Sequence, residues 1–198
     1  MSELNAPDIY IATMPIVEAL EELGVTYHIG GSVASSMNGI PRLTIDIDLV
    51  ADLKLMHVRS LVKQLENTYY IDADAVRDAI RRRSSFNAIH LDTMLKVDVF
   101  IPKARLFDQE ELHRTQLKSL MKDTRAFYVA SPEGTILNKL EWYKMGGGVS
   151  DRQWNDILGV LKVQGTNLDM AYLQRWASAL DVAELLQRAL VDAGLMEE

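Results

Sequence analysis

Apolar residues recur at helical spacing over residues 11–23 (IATMPIVEALEEL), and Gly24 stops the run. Residues 25–29 then predict a short strand that enters Gly30-Gly31-Ser32, with a short helix over 33–37 leaving it. Asn38-Gly39 and Pro41 punctuate the connection that follows. Residues 43–50 (LTIDIDLV) alternate strictly between apolar and polar, which is the period of a strand. Residues 55–67 and 73–82 predict amphipathic helices, and 84–91 and 94–101 two strands. Asp92-Thr93 between those strands predicts a two-residue hairpin turn. A last short strand is expected at 127–130.

Beyond it the pattern is helical. Ser131-Pro132-Glu133 has the makings of a helix start: a hydroxyl cap, proline at the first position, then an acid. That helix should run to about Met145 and stop at Gly146-Gly147-Gly148. Further helices are expected over 151–163, 169–179 and 181–193. The chain thus divides into an α/β core over residues 1–125 and a helical C-terminal region over 126–198. No internal repeat or low-complexity tract interrupts it.

Composition narrows the function classes. A chain of 198 residues is long enough to bury a core without covalent staples. It has no cysteine, which excludes disulfides, thiolate metal sites and a cysteine nucleophile. The opening decapeptide MSELNAPDIY is polar and acidic, unlike a secretory leader. No apolar run approaches the roughly 18 residues of a membrane helix. The expectation is a soluble, cytoplasmic protein with no membrane contact. A net charge of −7 argues against wrapping long duplex DNA, since that requires many phosphate-neutralising cations.

The candidate chemistry lies in three places. Asp46 and Asp48 are two apart on a strand, so both carboxylates share one face while Ile45, Ile47 and Leu49 face the other way. Held this close they repel, and a divalent cation relieves the repulsion; hard oxygen donors suit Mg2+ or Mn2+. Asp98, on the face opposite Val97 and Val99 of a later strand, repeats the pattern. Three carboxylates on neighbouring strands suffice for two metal ions, and one can accept the proton of an attacking hydroxyl. Gly30-Gly31-Ser32, between a strand and a helix start, supplies backbone amides and a hydroxyl for a phosphate.

In this order, with thirteen residues from Val33 to Ile45 between the glycine turn and Asp46, these elements resemble the polymerase-beta-like nucleotidyltransferase superfamily. Within it, the run from Arg42 to Asp48 (RLTIDID) is similar to the minimal AbiEii-like branch, which includes toxins of toxin–antitoxin and phage-defence systems. The resemblance covers roughly residues 10–160. It implies an α/β (α+β) fold with a mixed sheet flanked by helices. It also implies transfer of a nucleoside monophosphate from a nucleoside triphosphate such as ATP to a hydroxyl on RNA (tRNA among them), protein or a small molecule, with an antitoxin protein as partner. Gly30, Gly31 and Ser32 would hold the triphosphate, Asp46 and Asp48 the metals, and Asp98 would complete the site as base. A later Lys followed by an Asp would be Lys139 and Asp156, with Lys144 and Asp151 as rivals.

Other readings stand beside this one. A non-catalytic nucleotide- or protein-binding member of the same fold would carry the same residues, and so would an aminoglycoside-type adenylyltransferase. Arg77, Arg81, Arg82 and Arg83 form either a solvated helix end or an acceptor-binding patch. Arg42 either steers a triphosphate or pairs with a carboxylate. His28 precedes the glycine turn, while His57, His90 and His113 are too scattered for a zinc site. Trp142, Tyr143 and Trp154 are expected to pack between helices.

Overall fold

The computed structural model describes residues 6–44 and 46–197; Ile45, expected on the apolar face, and the polar opening residues 1–5 lie outside it. Seven strands and nine α-helices are present among the described residues. The chain forms two compact units: residues 1–33 with 43–129, and residues 34–42 with 130–198.

The first unit carries α1 (Ala6–Glu22), β1 (Tyr27–Ile29), the first turn of α2 (Gly31–Asn38), β2 (Ile47–Ala51), α3 (Val58–Leu65) and β3 (Tyr69–Tyr70). It continues with α4 (Ala73–Arg82), β4 (Ser85–His90), β5 (Lys96–Phe100), α5 (Leu106–His113), β6 (Thr115–Lys118) and β7 (Phe127–Ala130). One mixed sheet runs in the order β3-β4-β5-β2-β1-β7-β6. β2 lies parallel to β5 and antiparallel to β1, and β4 is antiparallel to β5. The mixed sheet with helices is the architecture the sequence implied.

Alternation decides what each strand buries. Ile47, Leu49 and Ala51 on β2, Val97 and Val99 on β5, and Phe86 and Ala88 on β4 are buried. α1 packs on β2 and β5, α4 on β4, and α3 on both helices. The intervening positions stay partly open: Asp48 and Val50, then Lys96, Asp98 and Phe100, then Ser85, Asn87 and Ile89. One face of the central strands is thus core, and the other is available for chemistry.

α4 begins and ends for local reasons. The Asp72 carboxylate accepts from the Asp74 and Ala75 amides, and Arg83 closes the helix at φ 50°. The β4–β5 connection differs from the expected two-residue turn. It spans residues 91–95, with Met94 at φ 57°, and is held by the Thr93 hydroxyl 2.9 Å from His90 Nδ1. Asp-Thr lacks the positive-φ tolerance that a tight hairpin turn demands at both positions. β2 starts at Ile47 rather than at residue 43, leaving Leu43 exposed. α5 and β6 have no counterpart in the sequence reading.

The second unit carries the rest of α2 with α6 (Pro132–Met145), α7 (Asp151–Gln164), α8 (Met170–Ala179) and α9 (Ala183–Asp192). Ser131 caps α6 by accepting from the Gly134 amide, as its sequence predicts. Gly39 meets α7 so closely that a Cβ there would lie 2.6 Å from the Val160 nitrogen, so only glycine fits. Buried Asn38 donates to the Ala130 carbonyl (2.9 Å) and to Thr135 Oγ1 (3.0 Å), pinning the same segment. Tyr143 and Trp154 pack at 4.9 Å between ring centres, while Trp142 is half exposed. No helix among the described residues is long and apolar enough to cross a membrane.

Candidate active site

The parallel register of β2 and β5 sets Asp48 directly beside Asp98, and the antiparallel register of β4 sets Asn87 beside Asp98 in turn. Residues paired in this way point to the same face. Lys96, two before Asp98 on β5, stands one step along on that face, and Asp46 comes just before β2 begins at Ile47. Asp48 and Asp98 therefore share the partly open side of the sheet, with Asp46 just ahead of β2.

Gly31 abuts this row. It takes φ +54° at the start of α2, a conformation that L side chains resist. A Cβ on Gly31 would fall 1.7 Å from Asp48 Oδ2 and 2.7 Å from Asp48 Cβ. The Gly30 amide donates to the Asp48 carbonyl at 2.8 Å, tying the turn to the strand. The glycine bend and Asp48 are thus packed as one structure. Ser32 follows Gly31 in the first turn of the helix.

Two residues join the site that the sequence reading passed over. Asn87 Nδ2 donates to Asp98 Oδ1 at 2.7 Å, and Lys96 Nζ lies 2.7 Å from Asp98 Oδ2. Both oxygens of Asp98 are thus engaged. The hydrogen bond to Asp98, followed by the charges of Asp98, Asp46 and Asp48, raises Lys96 above the usual lysine value against the opposing effect of burial. Lys96 was legible as the i−2 neighbour of Asp98 on one strand face. Asn87 becomes visible only through the β4–β5 register.

The chemistry of the donors, three carboxylates on adjacent strands, fits a hard divalent cation. Their placement does not close on one. Among the described residues no group of three His, Cys, Asp or Glu side chains stands together as a ligand set. Asp98 is turned to Asn87 and Lys96 instead.

His28 shares this face, being paired with Val50 one step beyond Asp48. It is fully buried, its Nε2 is 3.7 Å from Glu111 Oε1 of α5, and its Nδ1 has no hydrogen-bond partner among the described residues. Burial lowers its pKa to about 4 from 6.5. The unfolded chain therefore takes up a proton between these values that the folded chain refuses. Stability should fall as pH drops from about 6.5 to about 4, by up to roughly 3 kcal/mol. Urea unfolding midpoints across this window check it: His28→Phe should flatten the slope, and an unchanged slope would remove His28 as its source.

The remaining sequence candidates are distributed as follows. Arg81, Arg82 and Arg83 end α4, beyond the Ser85–Phe100 pair and so at the opposite end of β5 from Lys96. Arg77 and Arg82 pair with Asp74 and Asp78, and Arg83 donates to the Pro102 carbonyl. His57 accepts from the Lys54 amide, and His90 belongs to the β4–β5 connection. An open cleft of about 710 Å³, lined by Glu21, Tyr27, His113 and Arg125 among others, contains none of the three aspartates.

In the second unit, Asp156 is buried and accepts from Lys139 Nζ (2.6 Å), from Arg42 Nη2 (2.7 Å) and from Arg42 Nε. Burial pushes its pKa up, but the hydrogen bonds and charges of Arg42 and Lys139 together outweigh it and hold the carboxyl below its usual range. The two alternatives for a lysine–aspartate pair are now distinguishable. Lys139 engages Asp156, whereas Lys144 engages Asp181 at 2.5 Å, and Asp151 is an exposed residue at the start of α7.

No protein-family model and no curated protein sequence matches the chain. Solved structures do. The antibiotic-resistance factor ANT(2'')-Ia in solution superposes with a TM-score of 0.58 at 13% identity, covering 93% of this chain and 99% of that one. ANT(2'')-Ia in complex with adenylyl-2''-tobramycin gives 0.56 at 14% identity, covering 87% and 97%. The lincomycin-bound lincosamide antibiotic adenylyltransferase LnuA gives 0.50 at 15% identity, covering 82% and 99%. The likeness is one of fold: the chain has the architecture found in nucleotidyltransferases.

Proposed function

We propose that the protein is a nucleotidyltransferase, moving a nucleoside monophosphate from a nucleoside triphosphate to a hydroxyl acceptor. The observation that carries this is the Gly31 bend packed directly on the Asp48 carboxylate, with Asp98 beside Asp48 across the β2–β5 register. A phosphate-binding turn and an acidic row in contact are what phosphoryl displacement requires, because its catalysis is positioning and charge control.

In this reading the backbone amides at the start of α2 and the Ser32 hydroxyl hold phosphate oxygens. The acceptor oxygen attacks the α-phosphorus, the bond to the bridging oxygen breaks, and pyrophosphate leaves. Asp98 accepts the hydroxyl proton, and Asn87 keeps its carboxylate oriented through Oδ1. Asp46 and Asp48, joined by Asp98, are the residues that would hold Mg2+ or Mn2+, which when bound would neutralise phosphate charge. In the second unit, Arg42 and Lys139 both hold the Asp156 carboxylate, which keeps two cations in one place and supports a role for them in anion contact.

For the acceptor, the AbiEii-like toxin reading is supported by the Arg42–Asp48 run and by the Lys139–Asp156 pair. A small antibiotic-like acceptor is the second reading, favoured by the fold shared with the tobramycin and lincomycin enzymes. The test is incubation with each α-labelled triphosphate and Mg2+ or Mn2+ in a cell lysate. Label in RNA or protein supports the toxin branch, and label in a small hydroxylated molecule supports the second. Binding of nucleotide with no label transferred from any of the four would overturn transfer and leave a binding protein.

A further inference from the structure

We propose that Lys96 is a built-in counter-cation of the aspartate row, holding Asp98 in the absence of metal and competing with a divalent ion for it. The inference rests on the reading of Asp46, Asp48 and Asp98 as a cation site. Three observations lead to it. The Lys96 ammonium is 2.7 Å from Asp98 Oδ2, and Asn87 takes the other oxygen, so Asp98 is fully engaged within the sheet. Lys96 stands two residues before Asp98 on the same face of β5, at the end of that strand beside the start of β2. Finally, no group of three acidic or imidazole side chains among the described residues is closed into a ligand set, although the donors are of the right kind.

Like-charged carboxylates on adjacent strands need a positive charge, and here a lysine on the same strand face supplies it. A lysine is suited to being displaced. Its ammonium is a point charge on a flexible stem, and 45% of the side chain is exposed, so it can swing into solvent. A divalent ion carries twice the charge and takes several oxygen ligands at once. Metal binding would then require exchange of the Lys96 contact for coordination, and the protein would hold metal weakly until a triphosphate adds its own oxygens. Lys96 is a positioning residue in this account.

The test is Mn2+ titration of the full chain without nucleotide, by calorimetry or by the loss of the free Mn2+ spin-resonance signal. Lys96→Met should bind Mn2+ about tenfold more tightly or better, since a nearby positive charge is gone. Lys96→Arg should stay close to wild type. Metal-free Lys96→Met should melt at a lower temperature than wild type, and Mn2+ should restore it. Exposure of Lys96 makes misfolding of the variant no obstacle, and its circular dichroism would show the native helix content. Equal or weaker Mn2+ binding by Lys96→Met, with binding lost in Asp48→Asn, would overturn the competition while preserving the cation site. Mn2+ binding by neither protein, or binding that Asp48→Asn leaves intact, would overturn the site itself and the competition with it.

Discussion

Asp48→Asn is expected to lower nucleotidyl transfer by roughly a thousandfold or more, with little change in melting temperature. The substitution keeps the shape of the side chain that packs against Gly31, removes its charge and turns one acceptor oxygen into a donor. Asp48 is partly open and stands beside Asp98, so its carboxylate is not needed to fill a core. Its backbone carbonyl, which accepts from the Gly30 amide, is untouched. A structural carboxylate would give the opposite pattern, with stability falling and chemistry following in proportion. Pyrophosphate release with a fixed acceptor is the readout, with circular dichroism as the control for folding. Activity within threefold of wild type would remove Asp48 from the reaction.

Gly31→Ala is expected to damage both stability and activity. Alanine at φ +54° costs about 1–2 kcal/mol by itself. The larger effect is steric. A turn of the Asp48 carboxylate could relieve the 1.7 Å approach to Oδ2, but Asp48 Cβ would remain at 2.7 Å. Either the strand or the bend must move, and the expected loss is about 2–4 kcal/mol in total. Because the displaced group is Asp48, transfer should fall at least a hundredfold even where the fold survives. Gly24→Ala is the matched control: it has φ +65° and nothing within 4 Å of a new Cβ. It should show only the backbone cost. Equal effects of the two substitutions would mean that contact with Asp48 is irrelevant.

Legibility followed the physical source of each signal. Period-two alternation around Asp46 and Asp48 revealed a strand and its open face, because burial on one side enforces that pattern. α4 was legible from its amphipathic spacing and α6 from Ser131-Pro132, whose effects are local. α5 left no such trace. It buries Asp108 and Glu111 beside Phe107 and Leu112, and Arg105 satisfies Asp108 through two bonds of 2.7 and 2.8 Å. Its polar residues look like solvent positions until their partners are known. β6 is an edge strand with a single apolar residue, Leu117, which is exposed. In the site itself, Asp46 and Asp48 could be singled out from their spacing along one stretch of chain. Asn87 could not, since its place depends on pairing with a different strand. The close approach of Gly39 to α7 was hidden for the same reason: a glycine beside Asn38 looks like a turn, and only the neighbouring helix shows why nothing larger fits.

The parallel pairing of β2 with β5 also bears on how the protein reaches its folded state. Asp48 and Asp98 are fifty positions apart in the chain, and α3, α4, β3 and β4 lie between the two strands. A hairpin such as β4–β5 closes a short loop and needs only its own residues. The aspartates can meet only after a long crossover has been ordered, and such distant closures are slow. Electrostatic repulsion between them thus arises only once that crossover closes, when packing of the opposite sheet face can oppose it. A ribosome-bound chain ending before Asp98 would hold two of the three aspartates and lack the strand that pairs with β2.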